Sequence, residues 1–234
     1  MKKILKRVLI LVLIGSIAII GFFTYKGYIR YRNAISKVPI ALKVSEYTTK
    51  EDYAQYDQID KDFVNAVVAI EDKRFFTRKG LDFIAFTRAL LTNIISGKLV
   101  EGGSTISQQI AKNFYFQDIN RSITGKIAEV FVMIDLENVY SKEEIFALYV
   151  NMNYYGDGYW GITQAAKGYY HTSQNDLTVG QAAILAGIPN APAVYQLSTG
   201  HDLAYQRATK VLKKMLENYY ITEAEYEAAL KEDL

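Results

Sequence analysis

The sequence predicts a mainly α-helical domain preceded by one transmembrane helix, and three observations lead there. An uncharged apolar run opens the chain, helical periodicity fills most of the rest, and no stretch alternates as a strand does. The 234 residues include no cysteine and carry a formal net charge of +2. A disulfide framework and a thiolate metal site are therefore excluded.

The apolar run, Val8 to Tyr25, is 18 residues long, close to the lower limit for a helix crossing a bilayer core. Lys2, Lys3, Lys6 and Arg7 precede it, which places the N-terminus in the cytoplasm and the rest outside. Lys26, Arg30 and Arg32 follow it and oppose that orientation. A cleaved signal peptide would need a small-x-small site before a polar start, and none stands out. Residues 1–40 hold eight basic residues and no acid, against 19 basic and 25 acidic residues in the remainder. The basic excess is confined to the membrane segment, which argues against a nucleic-acid partner.

The expected division is residues 1–40 as tail, anchor and juxtamembrane segment, 41–220 as the main domain and 221–234 as a C-terminal helix. Pro39 leaves the membrane segment, and Ala41 to Asp57 reads as a connector. Phe63, Val67 and Ile70 share one helix face. Asp82 suits an N-cap ahead of Phe83, Phe86, Leu90 and Ile94. Ile127, Val130, Phe131 and Ile134 mark another helix. Capping boxes at Ser141/Glu144, Thr178/Gln181 and Thr222/Glu225 start three more. Asn151 to Gly161 is a Gly- and Tyr-rich loop.

Five stretches carry chemistry. Glu71-Asp72-Lys73-Arg74-Phe75-Phe76 puts acids and bases at the end of an apolar helix; by itself that is most often a solvated helix end. Glu101 to Lys112 pairs Gly102 and Gly103 with Ser104, Thr105, Gln108 and Gln109, a loop and helix start suited to an anion or sugar oxygen, or an ordinary capped turn. Lys126 and Glu129 share a face, as surface ion pairs also do. Lys142 to Asn151, running on to Tyr154-Tyr155-Gly156, is the fourth stretch. Leu185 to Tyr195, with Arg207 beyond, is the fifth.

In this order, from about Asp60 to Leu216, the five stretches resemble the family 51 peptidoglycan glycosyltransferases. Glu71-Asp72 with Phe75 and Gly80 is similar to Glu-Asp-x-x-Phe-x-x-His-x-Gly. Gly102 to Gln109 is similar to Gly-Gly-Ser-Thr-Ile-Thr-Gln-Gln, with Ser107 for Thr. Three further departures stand out: Arg78 replaces His, Ala147 replaces the Glu of the fourth motif, and Gly125 replaces the Arg that commonly precedes Lys126.

The resemblance implies a lysozyme-like helical domain, a monofunctional enzyme and a lipid II substrate. Glu71 and Glu129 would be catalytic, with Glu71 as the base made stronger by partial desolvation. Asp72, Phe75, Gly103, Ser104, Thr105, Gln108, Gln109, Lys112, Arg121, Lys126 and Asn151 would bind substrate. Lys112, Arg121 and Lys126 would steady the leaving pyrophosphate. The implied partners are lipid II, the growing glycan strand, the membrane and other wall-synthesis proteins. No cofactor is required, and a divalent cation at the pyrophosphate is compatible. His171 and His201 read as exposed loop residues without metal-ligand spacing. The stretch Phe83 to Ile95 fits an interfacial element and a core helix equally. Two other functions stay open: a lysozyme-like wall-cleaving enzyme, and a non-catalytic scaffold suggested by Arg78 and Ala147. No Ser-x-x-Lys or Lys-Ser/Thr-Gly pattern occurs, so no penicillin-binding site is expected.

Overall fold

The computed structural model describes residues 2–78, 80, 104–117 and 122–232. Gly102, Gly103, Arg121 and the stretch around Asp82 to Ile95 lie outside the described residues. Those described are mainly α-helical, and their sole β-type pairing is one isolated bridge between Tyr154 and Trp160.

Helix α1 (Lys2–Lys37) runs 36 residues without a break, about 54 Å at 1.5 Å per residue. It is long and apolar enough to cross a membrane, and its side chains from Ile4 to Ile20 are almost all solvent-facing. Its last third instead packs against α5 (Ile123–Val139). Gly27 permits this approach, since a Cβ there would stand 2.4 Å from a methyl of Ile127. Tyr28 and Tyr31 pack on Phe131 at ring separations of 5.4 and 5.5 Å, and the Tyr31 hydroxyl donates to Asp135. Gly27 meets Ile127, Tyr28 meets Phe131, and Tyr31 reaches on to Asp135, so the two helices run parallel.

The expected connector contains α2 (Ile40–Thr48). Ile40, Val44 and Tyr47 form its apolar stripe against the core. Helix α3 (Lys61–Glu71) starts at Asp60, whose carboxylate accepts from the amides of Asp62 and Phe63. Phe63, Val64, Val67 and Val68 are buried.

Helix α4 (Ile106–Tyr115) packs on α5 and on α6 (Lys142–Met152). After α6 come α7 (Ile162–Tyr170), α8 (Val179–Gly187), the single turn α9 (Pro192–Tyr195), α10 (Leu197–Glu217) and α11 (Glu223–Ala229). The centre is α8, buried from Ala182 to Gly187 and flanked by α3 and α10. All three expected capping boxes form, at the starts of α6, α8 and α11.

Two expectations change. The face read from Ile127 and Phe131 meets α1, Ile134 is 38% exposed, and Ala128, Val132, Met133 and Leu136 enter the core. Helix α5 thus buries two sides because α1 covers one of them. His201 lies in α10 rather than a loop, while His171 ends α7 in the left-handed conformation with φ 53°. Both histidines are exposed.

Candidate active site

Glu71 is the last residue of α3, and Asp72 leaves the helix with φ −154° and ψ 77°. The helix axis therefore delivers the two acids in divergent directions. Gln109, on α4, donates from Nε2 to Glu71 Oε2 at 2.7 Å. The Tyr149 hydroxyl donates to Gln109 Oε1 at 3.3 Å, and Arg207 Nη2 stands 3.8 Å from Glu71 Oε1. The Glu71 side chain retains 17% exposure. Burial raises its pKa; the Gln109 hydrogen bond and the Arg207 charge oppose the rise, and Asp72 adds to it. A carboxylate held this way is a stronger base than a solvated one, and part of its surface stays open.

Asp72 is enclosed. It accepts from Arg78 Nη2 at 2.8 Å and from the Ile106 amide at 3.3 Å, the latter at the first turn of α4. Arg78 Nη1 also pairs with Glu137 Oε1 at 2.9 Å. Ser107 Oγ donates to Glu137 at 2.6 Å, and Lys142 Nζ lies 2.8 Å from it. Burial alone would raise the Glu137 pKa, but Lys142, Ser107 and Arg78 more than offset it and hold the carboxyl below its ordinary value. The arginine that stands where the resembled motif has histidine thus ties α3's end to α5.

The other expected acid, Glu129, is on α5. Its Oε2 accepts from Lys126 Nζ at 2.5 Å, and the same ammonium donates to Ser104 Oγ at 2.9 Å. Glu129 is 7% exposed, whereas the Lys126 side chain is 52% exposed. Ser104 precedes the N-cap of α4 and Gln109 lies within the helix, so the Lys126–Glu129 pair and Glu71 both make contacts near the start of one helix. Lys112, one turn past Gln108, is exposed. Because α1 and α5 run parallel, with Gly27 beside Thr124 and Ile127, Lys126 stands level with the end of the apolar run.

Other expected binding residues spend their polar groups inside the protein. Thr105 caps α4 and Gln108 returns the bond, donor and acceptor satisfying each other. Asn151 accepts from the Ala54 amide at 2.9 Å and donates to the carbonyls of Ala54 and Ala147, both at 2.8 Å. Phe75 is fully buried, with Lys142 Nζ 4.8 Å from its ring centroid. Gly103 and Arg121 lie outside the described residues.

Tyr149 falls within the fourth stretch and Arg207 lies beyond the fifth, neither with an expected role; the structure puts Arg207 beside Glu71 and Tyr149 on its partner Gln109. Gly187 makes room for Arg207, since a Cβ there would be 2.8 Å from Arg207 Cγ. The Glu137 cluster was missed altogether. Glu137 is one of four charged residues on α5, with Lys126, Glu129 and Asp135, and nothing local sets it apart.

A cleft of about 710 Å³ is lined by Tyr47, Asn113, Asn153, Tyr154, Trp160 and Pro189, among others, and its lining includes none of Glu71, Gln109, Glu129 or Lys126. Asn113 follows Gln109 by one helical turn and so shares its face. The arrangement puts a partly desolvated carboxylate at the end of α3 and a paired ammonium on α5. No group of three or more metal-type ligands occurs among the described residues.

The transglycosylase family profile matches residues 39–216. The chain is 40% identical over 185 residues to penicillin-binding protein 1A of Aquifex aeolicus, covering 79% of this chain and 25% of that one. It is 32% identical to penicillin-binding protein 1A of Vibrio cholerae, covering 99% of this chain and 29% of the relative. With penicillin-binding protein 1F of Bacillus subtilis it shares 33% identity over 96% of this chain and 33% of the relative. The chain spans about a quarter to a third of the length of these relatives.

Proposed function

Since the chain belongs to the transglycosylase family, we propose that it polymerises lipid II into β-1,4-linked glycan strands of peptidoglycan, releasing undecaprenyl pyrophosphate. The observation that carries this reading is the pairing of two unlike sites on one helix end. Glu71 is raised in pKa and held by Gln109; Lys126 is largely exposed and steered by Glu129 and Ser104.

In the proposed reaction Glu71 takes the proton of the acceptor's GlcNAc 4-hydroxyl. The freed oxygen forms a bond to the anomeric carbon of the donor MurNAc, and the bond from that carbon to the pyrophosphate oxygen breaks. Attack from the opposite face turns the α linkage to β. Lys126, with Lys112 and Arg121, takes up the charge that builds on the leaving group. Positioning matters as much as basicity, because an alcohol must outcompete water.

The position of Lys126, level with the end of the apolar run, supports a substrate whose pyrophosphate sits at a bilayer surface. On this reading α1 is a single-pass anchor with a cytoplasmic N-terminus and an extracellular catalytic domain. Anchoring confines enzyme and substrate to one surface and raises their effective concentration. The scaffold alternative drew on Arg78 and Ala147. Arg78 is fully paired within the fold, and Ala147 is a buried residue whose carbonyl holds Asn151, so neither departure opens the site.

The test is incubation of the purified full chain with labelled lipid II in vesicles. Polymer longer than the disaccharide, lost on Glu71→Gln, is the expected result. Absence of polymer with intact lipid II binding would favour the scaffold, and solubilisation of purified wall would favour the cleaving enzyme.

A further inference from the structure

We infer that Arg30, carried by α1 and held against the start of α5, binds the phosphate of a bilayer-borne lipid. The inference rests on the reading above and adds a residue that lies outside every motif.

Arg30 Nη1 donates to Ser122 Oγ at 3.1 Å and to Thr124 Oγ1 at 3.5 Å. Its Cζ stands 5.9 Å from the centroid of the Phe116 ring. Phe116 ends α4 and Ser122 caps α5, so the guanidinium lies between the helices that carry Lys112 and Lys126. A Cβ on Gly125 would be 3.7 Å from Arg30 Cζ and Nη1. That is ordinary van der Waals contact, so the guanidinium lies directly against the Gly125 position, with Ser122 Oγ nearer still at 3.1 Å. The guanidinium beside Gly125 thus comes from 95 positions earlier in the chain.

The partners of this guanidinium are two hydroxyls and a ring. No carboxylate among the described residues pairs with it, whereas Arg78 has its charge matched by Asp72 and Glu137. Guanidinium groups pair readily with two oxygens of one phosphate, and the orientation of this one is already set by Ser122 and Phe116. Arg30 is three positions beyond Gly27, just past the apolar run, so its height matches lipid phosphates. The two sources of such a phosphate are the diphosphate of the substrate and the phosphodiester of a glycerophospholipid.

The experiment compares the wild-type full chain, Arg30→Gln, Arg30→Lys and the double variant Arg30→Gln/Gly125→Arg in neutral vesicles. Binding is measured to vesicles doped with undecaprenyl diphosphate or, separately, with phosphatidylglycerol; glycan formation and thermal unfolding are followed in parallel. Arg30→Gln should weaken binding to one dopant about tenfold, the scale of one lost charge-assisted contact, and raise KM with little change in kcat. Arg30→Lys should keep most of the binding, and the double variant should recover it by returning the cation to α5. Loss confined to diphosphate vesicles assigns the substrate as the ligand, and loss confined to phosphatidylglycerol vesicles assigns the bilayer. Wild-type binding by Arg30→Gln to both dopants, or equal loss in Arg30→Gln and Arg30→Lys, would overturn the inference. Wild-type protein that makes no glycan, yet loses diphosphate binding on Arg30→Gln, would refute the polymerase reading and leave the Arg30 assignment standing.

Discussion

Glu71 and Asp72 are neighbours in the chain and opposites in the fold. Glu71 has one amide donor at 2.7 Å and an arginine at 3.8 Å, with part of its surface open. Asp72 is buried, with Arg78, Glu137, Lys142 and Ser107 completing a cluster in which opposite charges meet at 2.8 to 2.9 Å. A buried charge matched by its neighbours holds elements in place, and a buried charge left partly unmatched stores reactivity. The same contrast separates the enclosed Arg78 from the open Lys126.

The largest effect that tests this contrast is on turnover. Glu71→Gln should lower the rate by about a thousandfold, the scale of lost general-base catalysis, while leaving thermal stability unchanged or higher. A fall in stability to match would mean that Glu71 is framework. Next, Arg78→Ala leaves Asp72 and Glu137 without their shared partner and should destabilise the fold by about 3–5 kcal/mol in denaturant titration. A shift under about 0.5 kcal/mol, the usual range for exposed sites, would dissolve the distinction between the two regions.

Lys126→Ala should do the reverse, costing about a hundredfold in rate with stability kept within about 0.5 kcal/mol. Circular dichroism and initial rates on one preparation separate the two outcomes.

The smallest effect is on pH dependence, and it differs in sign between the regions. Glu71 is raised above the ordinary carboxylate value of 4.5. Deprotonating it costs more in the fold than in the unfolded chain, so its contribution to stability is present at low pH and lost as pH rises through the raised pKa. Its rate limb should accordingly fall on the acid side at a pH above 4.5. Glu137 is lowered; its contribution is present above 4.5 and disappears as pH falls through the lowered pKa. Glu137→Gln should therefore flatten the acid side of the stability profile, and Glu71→Gln should remove the acid limb of the rate profile. An unchanged acid limb in Glu71→Gln would show that another group titrates it.

Much of the scaffold was legible because its signals are local. Capping boxes span four residues, and α3 declares itself by the shared face of Phe63, Val67 and Ile70. The short helix α2 was not, since nine residues give too little pattern to separate a helix from a connector. The two-sided burial of α5 was hidden because its second partner is α1, a helix read as membrane only. Within the site, composition singled out nothing decisive; Glu71, Gln109 and Lys126 emerged through motif order. The contacts that define their environments join residues far apart, 59 positions for Arg78 and Glu137 and 92 for Arg30 and Ser122. Such distances fall outside any window over which periodicity or capping is read.

Helix α1 passes from its apolar run to its docking surface on α5 without a proline, bulge or break. Such a strut transmits vertical position: whatever depth the hydrocarbon imposes on Val8 to Tyr25 is imposed equally on Lys126. With a run near the minimum spanning length, acyl chains a few ångströms longer would draw the reacting groups down toward the headgroups or tilt the whole domain. Lipid thickness then becomes a dial on turnover, strongest for a chain that has no hinge to absorb the mismatch.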